Sequence, residues 1–197
     1  EQPFTVGSVY AGAIVCFLFV LGLLLVKGPY KWALLVATFF SFALAWGKNW
    51  MWLTELFFEY FPLYSKFRSV SSILIVAEVT VPLLGFLALK QIMDGTVDKK
   101  SINKNLYISA GITGGLCLIF ALFGKSLFTF TSSYDANIAS QLPGWAYSAI
   151  VEERAIMFRS DSFRSFLFIL LSAATVWLFA NNLIKKSWMI AILGVLV

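Results

Sequence analysis

The apolar residues of this chain fall in long blocks, and nearly every charge sits between them. That layout constrains the fold more than any motif does. About 20 mostly apolar residues in a helix cross the hydrocarbon core of a bilayer. Within lipid the backbone must satisfy its own hydrogen bonds, which leaves helices or closed barrels. The blocks lie at about 7–26, 31–46, 70–89, 105–124, 163–181 and 188–197. Composition agrees, with 60% hydrophobic and 13% charged residues and a mean hydropathy of +0.85. Soluble domains are about 45–50% apolar and about 25% charged. The expected fold is all-α, a polytopic transmembrane helix bundle of five to six spans in one membrane domain over 1–197. The last block is short for a span, and the chain opens on Glu1 rather than Met, so the sequence reads as a fragment of a longer protein.

Several chemistries are disfavoured at once. There is no His, the commonest general base and metal ligand. Cys16 and Cys117 lie in separate apolar blocks and read as small packing groups rather than a disulfide framework or a metal site. No nucleotide loop, zinc motif or nucleophile triad is present, and no cofactor is expected. The net charge of +5 does not point to nucleic acid, because the cations are scattered between blocks rather than gathered on one soluble face.

The cations speak to orientation instead. Short connections rich in Lys stay in the cytoplasm. Three alternate connections carry Lys27 and Lys31, then Lys90, Lys99, Lys100 and Lys104, then Lys185 and Lys186. The other two connections are longer and mix both signs. The lysine-dense turns are therefore placed inside, and the segments 47–69 and 125–162 outside.

The first outer segment reads as an interfacial amphipathic helix. Trp50, Leu53, Phe57 and Phe61 recur at helical spacing, Asn49 is placed to cap it, and Pro62 ends it at or before Phe61. Its polar face carries Glu55 and Glu59, either as a pair facing an aqueous cavity or, on the plainer account, as a solvated face. The second outer segment is expected to hold a polar stretch around Asp135, a turn-forming residue. A surface helix then leads into the fifth span.

Glu78 stands near the middle of the block 70–89. A carboxyl there costs several kcal/mol unless it is paired, protonated or wetted. Pro82 removes the helical donor for the Glu78 carbonyl. Two readings stand together: a polar point in a substrate or proton path, and a structural pair with a neighbouring helix. Lys66 and Arg68, just ahead of Ser71 and Ser72, suit a phosphate at a helix entrance, although interfacial snorkelling explains them equally simply. Gly111 and Gly115 form a GxxxG, with Ala110 and Gly114 as a second small pair, expected to bring helices together.

The stretch FPLYSKFRSVSSILIVAE resembles the YfhO-type bacterial membrane proteins, especially the long Bacteroides-like versions. The opening EQPFTVGSVYAGAIVCFLFVLGLLLVKGPYKWALL, together with ALAWGKNWMW and RSDSFRSFLFILL, is similar to their central region. The resemblance implies a GT-C glycosyltransferase-like fold in the bacterial inner membrane. Such enzymes move a sugar from a polyprenyl-phosphate carrier to an acceptor at the outer face. The resemblance carries over only Lys66 and Arg68, as carrier-phosphate contacts, and implies that the catalytic acid precedes Glu1. The expected partners are membrane lipid and a polyprenyl-phosphate-linked sugar. A transporter or lipid flippase using Glu78, and a scaffold without chemistry, are the alternatives.

Overall fold

The computed structural model describes residues 11–46, 50–61, 70–131, 135 and 142–196. They form α1 (Ala13–Leu25), α2 (Pro29–Ala45), α3 (Met51–Tyr60), a 3-10 turn (Val70–Leu74), α4 (Ile75–Met93), α5 (Lys99–Leu127), α6 (Gly144–Ala180) and α7 (Lys186–Leu196). No strand occurs among the described residues. Three helical stretches are long and apolar enough to cross a membrane: Ser72–Met93, Lys99–Leu127 and Gly144–Ala180. The protein is membrane-embedded and all-helical. At 1.5 Å per residue, the described parts of α1 and α2 reach only about 20 and 25 Å, against about 30 Å of hydrocarbon.

The chain divides into two compact units, residues 2–105 and residues 106–197. In the first, α1 and α4 run parallel: Leu18 meets Gly85, Gly22 meets Leu84, and Val26 clusters with Leu84 and Ala88. A Cβ on Gly22 would stand 2.6 Å from the Leu84 carbonyl oxygen, and one on Gly85 would stand 2.9 Å from the Leu18 Cβ. Only glycine permits that approach, which is how helices gain contact where lipid competes for every apolar surface. Phe17, Leu21 and Leu84 are fully buried there.

α2 runs antiparallel to α4. Ser41 donates to the Ile73 carbonyl at 2.7 Å, and Thr38 meets Thr80 at 2.6 Å. The Thr38 hydroxyl spends its proton on the Leu34 carbonyl at 2.8 Å, so Thr80 is the donor in the pair. Gly28 adopts φ +108° and Pro29 opens α2, which turns the chain sharply after α1. Lys31 Nζ then donates to the Leu23 carbonyl at 3.3 Å, covering a free C-terminal group of α1. These directions bring Lys27, Lys31 and Lys90 to one end of the unit. The sequence reading put their connections on a common side.

In the second unit, α5 and α6 run antiparallel, with Gly124 against Phe158 and Gly114 against Phe166 and Ile169. Gly111 and Gly115, by contrast, face open space. The small pair that carries the contact is the Gly114 one, because the helix rotation set by Phe158 and Phe166 turns the GxxxG face away. α6 is one continuous helix of 37 residues, about 55 Å long. The surface helix and the fifth span are therefore a single rod. Between Gly144 and Ala180 no proline or glycine interrupts the hydrogen-bond ladder. The rod ends in a Schellman turn, with Asn182 at φ +61° and Leu183 N–H bonded to the Leu178 carbonyl at 2.9 Å. α7 follows and buries Met189 and Leu193.

Candidate functional site

Glu78 lies in the first turn of α4, just past the 3-10 turn, at the end of the unit away from Lys27 and Lys31. Its side chain is exposed, at the edge of a partly open cavity of about 250 Å³ lined by Ala11, Gly12 and Val15 at the start of α1, Phe42 of α2, and Ala77, Val81 and Pro82 of α4. The small residues on α1 and Ala77 make the space. Phe42 and Pro82 are its bulky walls. Among the described residues that line it, Glu78 is the one ionisable side chain.

No described Lys, Arg or Asn pairs with Glu78, so the structural-pair reading finds no partner among the described residues. The cavity is smaller than the about 300–1,000 Å³ of sites for drug-sized molecules. It has the size for part of a ligand, such as one branched segment of a chain. A carboxylate at its edge accepts a hydrogen bond from a ligand hydroxyl or amine.

α3 sits at the same end. Phe57 packs edge-on against Phe40 of α2 with ring centroids 5.3 Å apart, and Trp50 packs edge-on against Trp46 at 6.3 Å. Of the four residues at helical spacing, Leu53 and Phe57 are half-buried while Trp50 and Phe61 stand 37% and 58% exposed, so the covered face is narrower than the periodicity predicts. Trp52 and Tyr60 stand 67% and 79% exposed. Glu55 and Glu59 are exposed and do not line the cavity at Glu78. They form a solvated face rather than a pair aimed into that space. Lys66 and Arg68 lie outside the described residues, as do Asn49 and Pro62.

Asp135 departs from its expected role. Its side chain is only 4% exposed and meets Arg154 in a two-pronged pair, with Nη1 donating to Oδ2 at 2.7 Å and Nη2 to Oδ1 at 3.1 Å. Nη1 also donates to the Phe130 carbonyl at 3.1 Å. Phe158 gathers the rings of Phe120, Phe128 and Phe130 around it within 6.0 Å. Arg154 thus fastens the connection after α5 to the first half of α6. Geometry of this kind is the strong form of an ion pair, because both donors are aligned at once. Sequence spacing held no sign of it. The two residues are 19 apart in sequence, too far for the periodicity of a single helical turn to link them.

Among the described residues, no three His, Cys, Asp or Glu side chains gather as a metal site. The arrangement offers a carboxylate-edged apolar cavity, a short aromatic helix at the same end of its unit, and, in the other unit, a connection clamped by an ion pair. No protein-family model matches this chain, and neither curated proteins nor solved structures provide a match.

Proposed function

We propose that this chain forms the later spans of a bacterial inner-membrane sugar transferase of the GT-C kind, taking its sugar from a polyprenyl-phosphate carrier. The observation that carries this reading is the apolar cavity at Glu78, at the end of its unit that also bears the aromatic α3. A polyprenyl carrier is a branched apolar chain with an anionic head, and a cavity with small apolar walls beneath an interfacial aromatic helix suits such a molecule. The YfhO-type stretch around Lys66 and Arg68 supports the same reading. In it, Lys66 and Arg68 hold the carrier phosphate, Arg68 by a forked grip. The acceptor hydroxyl loses its proton to a carboxylate in the transfer step. α1, α2 and α7 join the three long helices to make five to six spans, and the lysine-bearing turns face the cytoplasm.

The test uses the full-length protein in membranes and a polyprenyl-phosphate-linked sugar donor. Arg68→Ala is expected to lose most of the transfer, and undiminished turnover removes Arg68 from the mechanism. Val81→Phe, which fills the cavity, is expected to raise the donor concentration needed for half-maximal rate. An unchanged value separates the cavity from donor binding.

The unpaired state of Glu78 among the described residues, one turn before Pro82, favours a second reading, a transporter or flippase with Glu78 as its coupling group. Glu78→Gln abolishes proton-coupled uptake on that reading and leaves sugar transfer the only activity on the first.

A further inference from the structure

We propose that Lys125 and Arg159 form a site for the phosphate of a lipid headgroup, at the boundary between the apolar and polar parts of the second unit. The inference does not rest on the sugar-transfer reading. Lys125 is the first charge after the apolar run of α5, and Arg159 lies on α6 five residues before Arg164, the last charge ahead of the uncharged run 165–180. The antiparallel contact of Gly124 with Phe158 puts Lys125 and Arg159 at one level, next to the apolar run of α5. Long basic side chains beside an apolar run are suited to reach lipid phosphates.

A space of about 70 Å³ lies there, lined by Lys125, Arg159, Phe120, Leu122, Ala155 and Phe158, with Gly124 and Ala121 at its edge. It exceeds several times the about 10–15 Å³ that one water needs. Gly124 is what brings the Phe158 wall so near, since a Cβ there would stand 2.8 Å from the ring. The neighbouring charges largely cancel. Asp161 pairs with Arg164 at 3.6 Å, and Glu152 meets Lys125 at 3.5 Å, a loose contact between two exposed side chains. Arg159 has no ion pair among the described residues. An anion entering the space meets one uncompensated guanidinium and one lysine that exchanges its partner at little cost.

Arg supplies a forked grip on phosphate oxygens, and Lys adds a point charge. The exposed side chains of Ile119, Leu122 and Phe123 continue along α5 toward the apolar interior, where acyl chains would lie. The site therefore fits a phosphate carried on a diacyl lipid better than a free ion.

The experiment is native mass spectrometry of the full-length protein in detergent, titrated with short-chain phosphatidylglycerol, with the matching diacylglycerol, and with inorganic phosphate as competitor. One phosphatidylglycerol is expected to stay bound where diacylglycerol does not. Binding falls on the order of tenfold in R159Q and less in K125Q, and R159K recovers only part of it, because a lysine brings the charge without the planar fork. Millimolar phosphate that displaces the lipid makes the free ion sufficient. Lipid that stays in place under phosphate assigns the site to the headgroup with its tails. R159Q and K125Q that both bind the lipid as tightly as the parent overturn the proposal. So does diacylglycerol binding of equal strength, because the phosphate is then not being read. R159K and K125Q keep the test decisive if R159Q loses its fold, shown by a lowered thermal midpoint.

Discussion

The two units solve the same packing problem with different chemistry. In residues 2–105, α1 and α4 touch nearly backbone to backbone through Gly22 and Gly85, and hydroxyls of Thr38, Ser41 and Thr80 bond across helices. In residues 106–197, α5 and α6 meet through aromatic rings laid on glycines, and an ion pair fastens the connection beyond the apolar part. The difference follows depth. Lipid offers apolar groups no reason to leave it, so inside the membrane helices associate by close fit and by shared hydrogen bonds. A charged pair is costly in hydrocarbon and affordable near water. The first unit therefore works by shape, and the end of the second that carries Asp135 by a forked charge.

The comparison breaks most visibly at the glycines. Gly22→Val puts a side chain into the Leu84 carbonyl oxygen, a backbone atom that cannot swing aside. We expect a loss of about 1–3 kcal/mol, the usual cost of overpacking, read as a lower thermal midpoint of the detergent-solubilised protein. A midpoint that does not move would mean that α1 and α4 are farther apart than described.

Next comes the clamp. Arg154→Met leaves the buried Asp135 carboxylate without its forked partner. Limited proteolysis of the connection 128–143 is expected to speed up several-fold, with cleavage elsewhere unchanged. Cleavage at the parental rate would show that the ring cluster at Phe158 holds the connection by itself.

A smaller effect is expected from the hydroxyl pair. Thr38→Val and Thr80→Val should each cost about 0.6 kcal/mol and at most about 1.7, and the double variant should cost less than the sum. Full additivity in a double-mutant cycle would deny that the two hydroxyls share a hydrogen bond. The smallest change belongs to Gly111→Val, which meets open space and should stay within about 0.5 kcal/mol. A large loss there would restore the GxxxG face as a contact.

Much of the fold is legible in the residues. The apolar blocks mark where helices run, and the lysines of Lys27, Lys31 and Lys90 end up together as alternating spans require. The periodicity of Leu53 and Phe57 marks the covered face of α3. Glu78 reads as a carboxyl near the middle of a span, whereas it stands exposed in the first turn of α4, at the edge of a cavity. What the residues do not display are the partners. GxxxG at Gly111 and Gly115 looks like the contact, yet Gly114 makes it. Asp135 looks like a turn residue, yet it is buried against Arg154. Both depend on which face of a helix meets its neighbour, and a single chain's pattern does not encode that face when lipid makes all apolar faces equivalent.

Composition and block length alone determined that this protein is helical and belongs in a membrane, because water cannot tolerate such apolar runs and lipid cannot tolerate unpaired backbone. Tertiary structure decided that Gly22 and Gly85 are contacts and that Ala11, Gly12, Val15 and Phe42 line a cleft beside Glu78. It also decided that Arg154 holds Asp135, 19 residues away in sequence. Those features arise only when segments far apart in sequence settle against one another, through the few ångströms of fit and the few directed hydrogen bonds that distinguish one helix face from another.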